Sequence, residues 1–215
     1  MPWVEQLRSV NWSEAGSVIL AGYAIGCFTT GYYLIRLHLG QDIHDSGSGS
    51  VGARNVGRLM GWRGFLLTVL GDFGKGALAV WAARHFTTDD RLVLLAMLAV
   101  VAGHVWPVQL HFRGGKGMAT SLGALLAYDY QLALAVAFLF AFAFLPLRKT
   151  VLPGLFALAC MPLVSGYLAH RPTKVAGMAA LAGLVLVAHR KNLVTEISRF
   201  LDRRSVHPKH DQPEL

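Results

Sequence analysis

The sequence predicts an all-α, polytopic integral membrane helix bundle of about seven transmembrane helices, with the N-terminus outside and the C-terminus in the cytoplasm. Only 15% of the 215 residues are charged while 54% are hydrophobic, whereas about a quarter of a soluble domain is charged. The mean hydropathy is +0.45. The basic residues sit between apolar runs rather than along one polar face, so the net charge of +8 points away from nucleic acid and toward a membrane surface or a phosphate-bearing small molecule.

Apolar stretches approaching the roughly 20 residues of a spanning helix recur at about 16–37, 61–83, 91–108, 118–128, 131–147, 151–169 and 173–188. The fourth, about 11 residues long, is expected as a tilted or re-entrant helix with ends buried in protein; six spans is the alternative. With seven, the segments after odd-numbered spans hold fourteen Lys and Arg residues, from Arg36 to Lys209, and the opposite side holds five: Arg8, Arg84, Arg91, Arg171 and Lys174. That bias assigns the odd loops and the C-terminus to the cytoplasm.

Backbone polar groups in hydrocarbon must be satisfied within the segment, which makes the spans helices. Ala77, Ala79, Ala82, Gly123, Ala124, Gly177, Ala180 and Gly183 are candidates for close helix packing. The expected organisation is one transmembrane domain over 1–198 and a polar tail over 199–215, with no internal repeat. Cys27 and Cys160 lie in apolar runs and read as small core residues rather than a disulfide or zinc site,. Glu5, Arg8 and Glu14 precede the first apolar run, so no cleavable signal peptide is expected.

Three polar segments fall on the predicted cytoplasmic side. In Gly47-Ser48-Gly49-Ser50-Val51-Gly52-Ala53-Arg54-Asn55-Val56-Gly57-Arg58, the glycines permit close backbone approach and turn N–H groups toward an anion. Ser48 and Asn55 offer neutral donors, and Arg54 and Arg58 bidentate phosphate clamps; a flexible basic loop at lipid headgroups is the alternative. The second segment runs from Gly103-His104-Val105-Trp106-Pro107 to His111-Phe112-Arg113-Gly114-Gly115-Lys116-Gly117-Met118-Ala119-Thr120-Ser121. A glycine-flanked lysine leading into a helix near Met118 combines N–H groups, a positive helix end and an ammonium. The G-x-x-x-x-G-K-[ST] spacing and its preceding strand are absent, which argues against a nucleotide triphosphatase. In His189-Arg190-Lys191-Asn192, His189 and Asn192 share a face on a helical continuation; a basic flank of the last span is the alternative. Asp72 and Lys75, three apart inside a span, are expected to pair because an unpaired charge there is costly. Whether that pair is structural or ligand-binding stays open.

The order and placement of these segments resemble the bacterial acyl-phosphate:glycerol-3-phosphate acyltransferases (PlsY type). That family carries S-G-N-x-G-A-T-N-x-x-R, then G-H-x-x-P…F-x-G-G-K-G-x-A-T, then H-R-E-N. The resemblance covers about residues 16–201 and its middle motif is highly specific. It implies seven helices, neither metal nor cofactor, and acyl transfer from acyl phosphate to the 1-hydroxyl of glycerol 3-phosphate. Acyl phosphate, glycerol 3-phosphate and membrane lipid are the implied partners, and no protein partner is evident. The family's catalytic and phosphate-binding positions fall on Ser48, Arg58, Lys116, His189 and Asn192, with supporting glycines at Gly49, Gly52, Gly114, Gly115 and Gly117. Arg54, Asn55 and Thr120 join the expected phosphate binders. The chain departs from the family pattern at Ser50, Arg54 and Lys191, and Val151 and Leu152 supply no hydroxyl where the family has a serine after the fifth helix.

Acyl phosphate is already activated, so alignment and charge neutralisation suffice for direct transfer. The base is His189, His104 or a substrate phosphate oxygen, and His104 is otherwise structural. The rival class is a transporter of a small phosphorylated anion. A related acyltransferase with another phosphorylated acceptor is a further alternative.

Overall fold

The computed structural model describes residues 11–148, 150–169, 171–195 and 198. Lys149, the two acidic and basic residues Glu5 and Arg8, and the tail from 199 lie outside the described residues. All regular structure among the described residues is helical.

Helix α1 (Trp12–Cys27) starts at Asn11, whose Oδ1 accepts the Glu14 N–H. It breaks at Phe28 and Thr29, both extended, before α2 (Thr30–Leu39), which ends at Gly40 with φ 68°. Helix α3 (Ala53–Phe86) is bent at Gly61, where φ is 71° and ψ −166°. The first apolar run was expected to give way to a loop until residue 61, yet 53–60 is already helical. Hydropathy sees only the hydrocarbon part of α3; the polar turns ahead of the bend are anchored by Val56 instead. Helices α4 (Asp90–Val105), α5 (Met118–Tyr128), α6 (Tyr130–Leu147), α7 (Val151–Ala169) and α8 (Pro172–Ala188) follow. Short 3-10 turns occupy Ile43–Asp45 and Val108–Leu110.

Among the described residues five spans are long and apolar enough to cross a membrane, α1 and α2 together forming one of them. Helices α5 and α8 are shorter, with 11 and 17 residues. At about 1.5 Å per residue α5 covers roughly 16 Å, about half of a hydrocarbon core, as its short apolar run suggested.

Without a hydrophobic force between helices in lipid, close backbone approach supplies the packing. A Cβ on Gly26 would lie 2.2 Å from the Val100 carbonyl oxygen, and one on Gly103 2.2 Å from that of Tyr23, so α1 and α4 touch backbone to backbone. Gly76 meets the Thr120 carbonyl and Gly123 that of Phe73 in the same way, joining α3 to α5. Of the small residues expected at interfaces, Ala79, Gly123, Ala124 and Gly177 are buried, but Ala180 is exposed and Gly183 faces open space. Helix α4 is the hub, contributing Met97, Val100 and Val101 to a core shared with Leu125, Leu158, Met178 and Leu181. A separate small core of Ile35, Ile43, Val51, Val56 and Leu110 lies under the loop between α2 and α3 and fixes it to the bundle.

Candidate active site

The loop between α2 and α3 turns at Gly47 and Gly49, with φ 61° and 67°. Asn55, on the first turn of α3 and 1% exposed, clamps it: Oδ1 accepts the Ser48 N–H and Nδ2 donates to the Ser46 carbonyl, both at 2.9 Å. In Asn55, expected to bind phosphate, Oδ1 and one Nδ2 donor hold the loop. The clamp leaves Ser48, Arg54 and Arg58 exposed at the surface.

The second segment folds back along the end of α4. The Gly114 N–H donates to the Val105 carbonyl at 3.1 Å and the Gly115 N–H to the His104 carbonyl at 3.0 Å. These amides, like those of Gly49 on the Ser46 carbonyl and Gly52 on Ser50 Oγ, are committed within the protein. These bonds hold the two glycine segments in place around the positions expected to cradle phosphate. Free N–H groups remain in principle at the first turn of α5, which starts at Gly117 with φ 81°. Thr120, expected beside the phosphate, is fully buried where α5 meets α3, because the helical turn points it into the bundle.

Beneath this loop lies the Asp72–Lys75–His104 cluster. Lys75 Nζ donates to the carbonyls of Gly26 at 3.0 Å and Phe28 at 2.6 Å, freed by the break between α1 and α2. It lies 3.1 Å from Asp72 Oδ1 and 2.8 Å from His104 Nδ1. With Nδ1 facing an ammonium, His104 keeps its proton on Nε2, directed at Gly115, where a Cβ would come within 2.1 Å. The cluster braces the lysine-bearing loop from below, and His104 is 3% exposed.

Arg54 and Arg58 act on Lys116 through their charges, and Lys116 and Arg54 act on His189. Burial lowers the Lys116 ammonium below the usual lysine range, and the charges of Arg54 and Arg58 lower it further. His189, the C-cap of α8, is 3% exposed. Burial lowers its imidazole, a bond to the Val185 carbonyl opposes this, and Lys116 and Arg54 lower it again. Its Nδ1 donates to that carbonyl at 2.9 Å, so Nε2 carries the lone pair. Helical backbone resumes at 190–195 and carries half-buried Asn192 one turn on. Arg54 also donates to Thr150 Oγ1 at 2.5 Å. Val151 and Leu152 supply no hydroxyl in the segment after α6, but Thr150 just before them does, a contact that no sequence spacing signalled. Trp62 and Phe65, also unanticipated, join Arg54, Gly57, Arg58 and Gly61 around an open cleft of about 470 Å³.

Helix α3 carries this cleft near one end and Arg84 at the other. There Arg84 donates to the Tyr128 carbonyl, Lys174 pairs with Asp129, and Tyr128 Oη donates to Asp90 at 2.7 Å. Cations and carboxylates answer one another at that end. Around the Arg54–Arg58 cleft no acidic side chain is among the lining residues. Such a like-charge cluster suits an anionic ligand. Among the described residues no three His, Cys, Asp or Glu side chains gather to hold a metal ion.

Comparison with known proteins adds the family. The family model described as glycerol-3-phosphate acyltransferase matches residues 16–199. A protein named glycerol-3-phosphate acyltransferase 1 from Desulfitobacterium hafniense is 43% identical over 195 residues, covering 89% of this chain and 96% of its own. A glycerol-3-phosphate acyltransferase of Prochlorococcus marinus is 33% identical over 201 residues, covering 91% and 98%. The crystal structure of PlsY, an integral membrane glycerol 3-phosphate acyltransferase, in its glycerol 3-phosphate form superposes with a TM-score of 0.77 at 31% identity, covering 88% of this chain and 93% of that one. Its lysophosphatidic acid form gives 0.75 at 30%. A multi-pass membrane protein, this chain belongs to the glycerol-3-phosphate acyltransferase family.

Proposed function

We propose that the chain transfers a fatty acyl group from acyl phosphate to the 1-hydroxyl of glycerol 3-phosphate, releasing lysophosphatidic acid and inorganic phosphate. The observation that carries the reading is the cleft in which Arg54 and Arg58 stand beside Trp62 and Phe65, both arginines acting on Lys116 through their charge. Both substrates are phosphorylated and one has an acyl chain, so cationic and apolar surfaces are needed side by side. Acyl transfer to glycerol 3-phosphate agrees with the names of the relatives; acyl phosphate as donor rests on the motif resemblance and on the chemistry.

In the proposed reaction the acceptor oxygen attacks the acyl carbonyl carbon, the bond from that carbon to the phosphate oxygen breaks, and phosphate departs with the electron pair. The hydroxyl proton ends on phosphate, directly or by way of His189 Nε2, whose lone pair is available. His104 is unsuited as base, since Nδ1 faces Lys75 and Nε2 faces a loop glycine. Lys116, Arg54 and Arg58 neutralise the phosphates, while Ser48 and Asn192 orient the reacting groups. The site faces the cytoplasm of the inner membrane, α5 and α8 complete seven spans, and the N-terminus lies outside, as the distribution of Lys and Arg favours. The single domain ends near residue 198.

The test is purified protein with acyl phosphate and a panel of phosphorylated acceptors, following lysophospholipid and phosphate together. Stoichiometric products with glycerol 3-phosphate support the reading. Acyl phosphate left intact with every acceptor, or vesicle uptake of glycerol 3-phosphate in its place, overturns it.

A further inference from the structure

His44, on the 3-10 turn between α2 and α3, has none of the roles assigned above. Its side chain is 7% exposed. Nδ1 lies 2.8 Å from Asp42 Oδ1 and Nε2 2.7 Å from the Arg113 carbonyl oxygen. A carbonyl can only accept. Asp42 can only accept when ionised, and its carboxyl is held below the usual range chiefly by the His44 backbone N–H. A neutral imidazole has one N–H to give; two acceptors require the imidazolium. Tyr32 of α2 faces the ring at 5.9 Å between centroids, and Arg36 of α2 acts on Asp42 through its charge.

The two bonds reach different parts of the site. Asp42 belongs to the loop that carries Ser48, and Arg113 immediately precedes Gly114-Gly115-Lys116. The His44 carbonyl also lies under the first glycine turn, 3.0 Å from where a Cβ on Gly49 would stand. We propose that His44 is a positioning residue whose two ring nitrogens tie the Ser48 loop to the Lys116 loop and set the spacing across the site. This rests on the acyl-transfer reading above.

Two variants separate this role from simple packing. His44→Phe keeps a ring against Tyr32 but removes both donors; His44→Arg offers charged donors to both acceptors at every pH. In His44→Phe, kcat is expected to fall about ten- to a hundredfold, as for reacting groups displaced by about an ångström. His44→Arg should keep kcat near the wild-type value, because its guanidinium donates to both acceptors. Spin labels at Asp45 and Phe112, with Cys27 and Cys160 replaced by alanine, read the loop spacing without turnover. It should widen in His44→Phe and keep the wild-type value in His44→Arg. If acyl transfer is absent but the spacing responds, the functional reading fails and the tie stands. A spacing unchanged in His44→Phe overturns the proposal, and so does a widened spacing in His44→Arg if His44→Phe does not fold.

Discussion

In segment 47–52 the glycines turn the chain, with φ 61° at Gly47 and 67° at Gly49, whereas in segment 114–117 positive φ occurs only at Gly117. Gly114 and Gly115 have ordinary backbone angles and are glycine for want of room: a Cβ on either would stand 2.1 Å from an atom of His104. Segments of similar composition thus meet different constraints. The first is a matter of conformation at Gly49 and of conformation and contact at Gly47, where a Cβ would stand 2.2 Å from Asn55 Oδ1, and its loop is held by that asparagine, by His44 and by a small core. The second is a matter of contact, pressed onto the end of α4 above a charged cluster. Strain in a turn is local, but a clash against a braced ring displaces the lysine next to it.

The largest expected effect tests what the second segment is built to present. Lys116→Ala should lower phosphate release from acyl phosphate at least about a hundredfold, comparable to the loss of a group stabilising charge in a transition state, with the melting temperature retained. Lys116→Arg should also lose most activity, since a planar fork does not replace a compact ammonium. Near-normal turnover by the arginine variant would reduce Lys116 to a topogenic charge.

Gly115→Ala comes next. Overpacking costs roughly 1–3 kcal/mol, and the upper end is expected because Lys75 pins His104. Thermal unfolding and turnover should fall together, and an unchanged melting temperature would mean that the loop is not braced as described.

Arg54→Thr sharpens the electrostatic side. A lysine whose pKa is depressed loses its ammonium at a lower pH than an ordinary lysine, so activity should fall as pH rises through that depressed value. Removing Arg54 takes away one of the depressing charges, so the alkaline limb should move to higher pH, with KM for a phosphorylated substrate rising several-fold. A limb that moves to lower pH would show Arg54 acting otherwise.

The smallest effect is assigned to Gly49→Ala, where a left-handed conformation costs an L-residue about 1–2 kcal/mol. Gly49→Asn should recover part of it, as asparagine tolerates that region. If Gly49→Ala disturbed Lys116-dependent turnover more than Gly115→Ala does, the contrast between the segments would be reversed.

The sequence by itself determined that the chain is a helical membrane protein and where its polar chemistry gathers. Both follow from one-dimensional quantities: runs of apolar residues, and glycines, lysine and arginines in short order. It also marked α5 as short, since an 11-residue helix leaves an equally short apolar run. Only tertiary structure decided what each polar side chain does. Asn55 and Arg54 are neighbours in sequence, yet one turns inward to tie Ser46 and Ser48 while the other reaches Thr150. Lys75 answers carbonyls of a helix break some fifty residues earlier, 49 and 47 positions away, and His44 reaches Arg113 across 69. Hydrogen bonds at such separations depend on how helices pack, and packing in lipid is governed by the close backbone approach at Gly26, Gly76, Gly103 and Gly123, which local composition does not encode.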